Sequence, residues 1–208
     1  YAFRKYKIKT VENKHTHLVP EELEQLERLS LTDKHMKLQK SLDAFLFCCY
    51  AGMRYSDFTN LSKKNIVDIN QETWLIYKSV KTGTEVRLPL YLLFAGKGIV
   101  ILNKYRNNLE DFFRLRDNSN INKDLIIIAK LAGLSKKISF HTARHTNATL
   151  LIYNGVNITT VQKLLGHKSV KTTQVYTNIM DMTIVHDLEK IKQAALGIKK
   201  KTDNSFNK

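Results

Sequence analysis

Apolar residues recur at helical spacing near the start of the chain. Leucines three apart follow Pro20, and a proline followed by acidic residues favours the first turn of a helix. A second run, roughly Lys37 to Tyr50, has an apolar face broad enough for a central core helix. The pattern therefore predicts two N-terminal helices, the second ending near Gly52.

The middle of the chain leaves helical spacing. Short β-branched and aromatic runs at residue 66, at 74–77 and at 86–90 predict three strands. Between the last two, Gly83 supplies the turn of a β-hairpin, which places Lys81 near its tip. Taken alone, a lysine at such a position is usually a solvated surface charge.

The rest of the chain is predicted to be helical. The predicted helices are residues 91–118, 125–131, 141–153, 158–165 and 183–196, the last with an apolar stripe along one side. Gly166 follows the fourth of these and is typical of a left-handed C-cap, so His167 is expected at a helix end. The predicted fold is α+β, a mainly helical domain with a small antiparallel sheet.

The 208 residues suffice for one domain with a sizeable core. The charge balance is strongly basic, with 34 Lys and Arg against 19 Asp and Glu, a formal net charge of +15. About half of this excess lies in residues 1–20 and 197–208. A polyanionic partner is the leading interpretation, because basic side chains that neutralise phosphates release counterions. A basic surface that serves solubility is the alternative.

Cys48 and Cys49 are the only cysteines and are adjacent within an apolar run. Neighbouring cysteines make a poor disulfide, so we expect two buried thiols and a cytoplasmic, reducing setting. No apolar run reaches the ~20 residues of a membrane span. The chain begins at Tyr1 rather than Met, and we expect a fragment preceded by an N-terminal region.

Candidate chemistry concentrates in residues 140–178. His141 and Arg144 share a helix face at i and i+3, and Tyr176 lies in a Thr-rich polar segment where its phenol is expected to be reachable. Imidazoles, a guanidinium and a phenol suit a proton-transfer reaction on an anion, with phosphate the natural candidate. Upstream, Arg54 follows a helix-breaking glycine, and a structural pairing with Asp57 is an equally open interpretation.

These motifs together closely resemble the tyrosine recombinases, over roughly residues 18–196. The resemblance is carried by Arg54 in AGMRYSDFTNL, Lys81 in the hairpin, His141-x-x-Arg144, LLGH ending in His167, and Tyr176 in TTQVYTN. The order and spacing of all six elements match those of the family. The motifs RYSDF and HTARHT are most similar to those of integrases of bacterial mobile elements. One departure is Asp57, where many members carry Glu.

The resemblance implies the domain organisation. Residues 1–17 would be a basic linker from a DNA-binding domain absent here, residues 18–196 the catalytic domain, and residues 197–208 a basic tail. It also implies the partners, which are double-stranded DNA, other protomers and accessory DNA-bending proteins. The protein would be a monomer when free and would form a tetrameric synapse on DNA. The location would be cytoplasmic, with the nucleoid as the place of action.

The resemblance further implies strand cleavage by Tyr176, which would leave a 3′-phosphotyrosine and a free 5′-hydroxyl. Arg54 and Arg144 would clamp the non-bridging phosphate oxygens, because planar guanidinium groups match phosphate geometry. Lys81 would protonate the leaving 5′-oxygen. Both arginines are expected to act on chemistry more than on folding.

The two histidines would complete the set. His141 would accept or donate the proton at the tyrosine, and His167 would donate a hydrogen bond to the phosphate. No cofactor and no metal is implied, and the sequence contains neither a Gly-rich phosphate loop nor an acidic cluster for Mg²⁺. His141 and His145, four apart, suggest a zinc pair, but no third ligand is evident.

Two other functions stay open on the residues. A type IB topoisomerase shares the chemistry and would relax supercoils without a synapse. The helices at 141–153 and 158–165 also fit a non-catalytic helix-turn-helix DNA-binding protein. That interpretation leaves Arg54, Lys81 and Tyr176 without a role.

Overall fold

The computed structural model describes residues 16–176 together with Leu188 and Lys192. Within 16–176 the α-helices are α1 Pro20–Glu27, α2 Gln39–Ala51, α3 Tyr55–Phe58, α4 Lys97–Lys104, α5 Leu109–Phe113, α6 Asn118–Leu131, α7 Phe140–Tyr153, α8 Ile158–Leu165 and α9 Val170–Gln174. The strands are β1 Ile66–Ile69, β2 Glu72–Lys78 and β3 Glu85–Pro89. Short 3₁₀ turns span Asp33–Leu38, Lys63–Asn65 and Leu93–Gly96. The predicted α+β class is confirmed.

Helix α2 is the centre of the core, as its broad apolar face predicts. Every residue from 41 to 51 is buried, including Cys48 and Cys49, both free thiols with no exposed surface. Its one buried acid, Asp43, accepts hydrogen bonds from Lys104 Nζ at 2.9 Å and Tyr105 Oη at 2.8 Å. These bonds offset the desolvation of the carboxylate and join α2 to the end of α4.

The three strands form one antiparallel sheet in the order β1-β2-β3. Leu75 in the middle strand pairs with Ile66 on one side and Leu88 on the other. The β2–β3 connection is the predicted hairpin. Gly83 adopts a φ of +67° and its N–H donates to the Ser79 carbonyl at 2.8 Å. Lys81 is exposed within this loop.

The single helix expected over residues 91–118 is wrong. Phe94 and Ala95 adopt positive φ values of 48° and 54°, which interrupt the helical conformation before α4. Asn108 then caps α5 by accepting from the Asp111 N–H, and Asp117 caps α6 by accepting from the Asn120 N–H. Capping side chains of this type compete with helix continuation, so the segment forms a 3₁₀ turn and the two short helices α4 and α5, and ends where α6 begins.

Helices α7 and α8 form where the sequence predicts them. In α7, residues 142–151 are all buried, and the backbone N–H of Leu18 donates to Thr146 Oγ1 at 2.9 Å, which fixes the incoming chain against this helix. Helix α7 is therefore a core helix from residue 142 to residue 151. No helix in the described residues is long and apolar enough to cross a membrane.

Several predictions fall outside the described residues. They are most of the basic linker at 1–17, the helix at 183–196 apart from Leu188 and Lys192, and the tail at 197–208.

Candidate active site

The C-terminal end of α8 is the point on which the predicted site residues converge. Gly166 has the left-handed φ of +63° expected of a C-cap, and the His167 N–H donates to the Gln162 carbonyl at 3.0 Å. A Cβ on Gly166 would lie 2.6 Å from Val86 Cγ2. Glycine therefore permits both the turn and the close packing of the helix end against β3.

Arg144 is buried between two helix ends. Its exposed fraction is 1%, and its guanidinium donates to the Gly52 carbonyl after α2 and to the Leu165 carbonyl of α8, each at 2.6 Å. Both carbonyls belong to the negative ends of helix dipoles, which favour a cation. Burial and then Arg54 lower the pKa of Arg144 to about 10, so the side chain stays charged at neutral pH.

Arg54 lies at the edge of the core beside the β-hairpin. Its Nη1 is 3.2 Å from Ser79 Oγ and 3.5 Å from Asp57 Oδ2. Asp57, 1% exposed, also accepts from the Val80 N–H at 2.8 Å. The pairing of Arg54 with Asp57 is thus present, and the same carboxylate fixes the base of the loop that carries Lys81.

The other end of that loop is bonded to α8. Thr82, the residue after Lys81, donates from Oγ1 to the Gly166 carbonyl at 3.1 Å. Gly166 directly precedes His167, so Lys81 and His167 belong to two segments joined by a hydrogen bond.

His167 is buried and held neutral. Its exposed fraction is 7%, and Nδ1 lies 2.9 Å from Thr173 Oγ1 at zero exposure. Burial is the largest cause that lowers the pKa of His167, to about 3. The charges that lower it further are, in decreasing order, Arg144, Arg54, His141 and Lys81. Four of the other five predicted site residues therefore lie close enough to act on His167 electrostatically.

Tyr176, the sixth, is not exposed as its polar segment suggested. It is 5% exposed and belongs to the hydrophobic core cluster. Its hydroxyl lies 3.1 Å from Nδ1 of buried His145, whose ring contacts His141 edge to face with centroids 4.5 Å apart. The expectation of a reachable phenol is wrong, because the turn after α9 places the Tyr176 side chain against His145 of α7.

Tyr176 also lines a cavity of about 160 Å³ between α7 and residues 17–21. Burial raises the pKa of its phenol, while the charges of Arg144 and Arg54 lower it in part. The phenol is therefore protonated at neutral pH, in the field of both arginines.

Sequence reasoning assigned no role to Ser79, Thr82 or Thr173, and it expected His145 to pack or bond within the core rather than to bind a metal. Each bonds a predicted site residue or its immediate neighbour. Hydroxyl side chains next to a site carry little sequence signal, because serine and threonine are common in any loop. The spacing of His145, one turn beyond His141, shows that the two rings share a helix face, but it gives no sign of the contact between His145 and Tyr176.

Comparison with protein families places the chain. The model of the phage integrase family matches residues 17–182. This chain belongs to the phage integrase family. A tyrosine recombinase of Pseudothermotoga lettingae is 30% identical over 181 residues, covering 85% of this chain and 60% of the relative. The tyrosine recombinase XerD of Bifidobacterium longum is 50% identical over 171 residues, covering 74% of this chain and 54% of the relative.

Solved structures agree with the fold. The crystal structure of XerA recombinase superposes with a TM-score of 0.66 at 26% identity, over 84% of this chain and 64% of that one. A lambda integrase dimer bound to a core site gives a TM-score of 0.63 at 22% identity, over 84% and 62% of the two chains. The chain spans about half to two thirds of the length of the proteins it matches.

Proposed function

We propose that this chain carries the catalytic domain of a site-specific tyrosine recombinase, which cuts and rejoins DNA during integration or excision of a mobile element. The observation that carries the proposal is the cluster at the end of α8. Arg144 donates to the Leu165 carbonyl and the loop of Lys81 is bonded to the Gly166 carbonyl, directly before His167. The charges of Arg54, Lys81, His141 and Arg144 also lower the pKa of His167. Four groups that are cationic or can become so, around a neutral imidazole, make a site for a phosphodiester.

The proposed step transfers a phosphoryl group from DNA to Tyr176. The phenol oxygen bonds to phosphorus as the bond to the 5′-oxygen breaks, giving a 3′-phosphotyrosine and a 5′-hydroxyl. The phenol loses its proton to His141, and Lys81 gives a proton to the leaving oxygen. Rejoining is the reverse, with the 5′-hydroxyl as nucleophile, so no external energy source is required.

The two arginines would stabilise the charge that develops on the non-bridging oxygens. Arg144 is held rigidly by the carbonyls of Gly52 and Leu165, so its orientation is set before DNA binds. The Arg54 side chain is 13% exposed and is held by the Asp57 carboxylate and the Ser79 hydroxyl. Preorganised donors of this kind need no rearrangement at the moment of reaction.

His167 suits a hydrogen bond to the phosphate without a proton transfer of its own. A neutral imidazole that accepts from Thr173 at Nδ1 carries its proton on Nε2. That N–H is then the donor offered to a phosphate oxygen. His145 is proposed to hold the phenol, with His141 next to it as the proton acceptor.

The partners follow from the chemistry and the relatives. Double-stranded DNA is the substrate, and further protomers would assemble on it into a tetrameric synapse, with accessory DNA-bending proteins where the element requires them. One structural relative is a lambda integrase tetramer bound to a Holliday junction. We place the reaction in the cytoplasm, at the nucleoid.

The test is covalent capture. The chain is incubated with a pool of nicked duplexes whose central sequence is randomised. The mixture is then denatured in detergent, and the protein is separated from unbound DNA. A nick beside the cleavage site lets the freed strand diffuse away, so the covalent intermediate accumulates. We expect detergent-resistant complexes whose captured sequences share a motif, formed in the presence of a metal chelator.

Two variants sharpen the result. Tyr176→Phe should abolish capture, whereas Tyr91→Phe, a change to a partly buried tyrosine elsewhere, should not. Capture without any enriched sequence would favour topoisomerase-like relaxation. The absence of covalent complexes with the unaltered chain would contradict the proposal.

A further inference from the structure

Three consecutive backbone carbonyls follow the last turn of α8, and a side chain donates to each. The Leu165 carbonyl accepts from Arg144 at 2.6 Å, the Gly166 carbonyl from Thr82 at 3.1 Å, and the His167 carbonyl from Gln162 at 3.1 Å. The first two donors come from α7 and from the β-hairpin. The end of α8 is therefore bonded to the two elements that carry Arg144 and Lys81.

The hairpin loop is held on both sides of Lys81. Before it, the Val80 N–H and the Ser79 hydroxyl donate to buried Asp57 at 2.8 and 3.3 Å. After it, the Thr82 hydroxyl donates to Gly166. The lysine side chain itself is exposed. The bonds of the neighbouring residues therefore determine the position of the Lys81 backbone, from which the side chain extends.

We propose that Thr82 is a positioning residue for Lys81: its bond to the Gly166 carbonyl sets the lysine relative to Arg144 and His167. This inference rests on the proposed function of the same site. Asp57 holds the loop beside Arg54 by bonding to both. Thr82 holds the loop against the end of α8. With both bonds present, the loop spans the two sides of the phosphate site.

The bond matters because proton transfer depends steeply on position. A general acid acts within hydrogen-bond reach of the atom it protonates, and a misplacement of about 1 Å can cost a large rate factor. Valine has the shape of threonine but no donor. Thr82→Val therefore removes the bond to the Gly166 carbonyl and also the longer bond, 3.4 Å, that the Thr82 hydroxyl accepts from the Thr84 N–H. One end of the loop is then no longer bonded to α8.

The experiment compares two leaving atoms. Two nicked duplexes are made with the sequence that is captured most strongly from the randomised pool. They differ only in the leaving atom at the scissile phosphate, which is the normal 5′-oxygen in one and a bridging 5′-sulfur in the other. In both, the bond from phosphorus to the phenol oxygen forms and the bond to the leaving atom breaks. The alkoxide needs a proton from Lys81, whereas a thiolate is stable near its pKa of ~8.5 and leaves without one.

We expect Thr82→Val to slow adduct formation on the oxygen duplex by about 10-fold, the factor that corresponds to one hydrogen bond. On the sulfur duplex it should react at the unaltered chain's rate, within about 2-fold. Thr82→Ser, which keeps the hydroxyl, should match the unaltered chain on both. Lys81→Ala should lose about 10²-fold or more on oxygen and recover on sulfur.

The matched control is Thr84→Val in the same loop, where the backbone carbonyl rather than the hydroxyl accepts from the Ser79 N–H. It should leave both rates unchanged. An unchanged oxygen rate in Thr82→Val, or equal slowing on both duplexes, overturns the inference. If Lys81→Ala is not recovered by sulfur, the role assigned to Lys81 fails, and if the unaltered chain forms no adduct, the proposed function fails.

Discussion

The hydroxyl of Tyr176 lies 3.1 Å from Nδ1 of His145, and both side chains are more than nine-tenths buried. With Nδ1 unprotonated, the phenol donates to it. The bond joins the turn after α9 to the middle of α7, 31 residues apart in sequence. It determines where the proposed nucleophile rests in the free protein.

This bond predicts energetic coupling between the two residues. Tyr176→Phe and His145→Leu should each lower the free energy of unfolding, because each leaves a buried polar group without this partner. The double variant should be more stable than the sum of the single effects implies, by about 1 kcal/mol. Urea unfolding of the four proteins measures the cycle, and strictly additive losses would show that the bond does not form in solution.

Arg144 should be needed for folding as well as for chemistry. Arg144→Met leaves the Gly52 and Leu165 carbonyls without this donor, which should reduce the free energy of unfolding by about 2–4 kcal/mol. Arg144→Lys should recover only part, since one ammonium does not reproduce the two-pronged donor. Arg87→Met is the control, because that exposed guanidinium pairs with the exposed Glu85 carboxylate, and its loss should change the free energy of unfolding by less than about 0.5 kcal/mol. Equal losses at the two positions, measured by urea unfolding, would contradict the structural role.

The sequence predicts this site well where chemistry and secondary structure coincide. Gly166 ends a periodic apolar helix, so both its left-handed conformation and the place of His167 follow from local rules. The same holds for the hairpin that carries Lys81. In each case the residues that determine the geometry are neighbours in sequence.

Long-range packing explains what the sequence does not reveal. Thr-rich surroundings suggested an exposed Tyr176, yet Thr173 itself is fully buried against His167. The break at Phe94 depends on positive φ values in residues that rarely adopt them. Neither feature has a local signal, because each is determined by elements distant in the chain.

Gly166 should tolerate a side chain less well than another glycine of the same conformation. Gly166→Ala places a Cβ 2.6 Å from Val86 Cγ2, whereas Gly133, with a φ of +75°, has no atom within 4 Å of the equivalent position. Both alanines carry the strain of positive φ, about 1–2 kcal/mol. Only Gly166→Ala adds the clash, and Val86→Ala in that background should relieve it.

Thermal and urea unfolding check this pair. Gly166→Ala should be the less stable variant by about 1–3 kcal/mol. Equal stability of the two alanine variants would mean that β3 does not pack against the end of α8 as described.

His167 should stay neutral well below the range where imidazoles usually titrate. Its pKa is lowered to about 3, whereas an unperturbed histidine titrates near ~6.5. Nuclear magnetic resonance of the imidazole, assigned by loss of the signal in His167→Asn, should show no protonation at pH ~5. Arg54→Ala should shift the titration upward, because that charge opposes protonation. A midpoint near the unperturbed value would contradict the burial and the surrounding charges.

The same shift has a consequence for stability. Below pH ~6.5 the unfolded chain takes up a proton at this residue while the folded chain does not, until the pH approaches 3. The contribution of neutral His167 to the free energy of unfolding is therefore complete above pH ~6.5. It is lost as the pH falls, by up to about 1.4 kcal/mol per pH unit. His167→Asn should lack this part of the pH dependence, measured by urea unfolding across that range.

The most direct measurement of the central claim is the identity of the residue joined to DNA. The covalent complex is digested with nuclease and protease, and tandem mass spectrometry locates the remaining nucleotide. The proposed function predicts a 3′-phosphodiester on Tyr176, in a peptide that begins in α9 or earlier. A nucleotide attached to any other residue, or to the 5′ end of the cut strand, would contradict it.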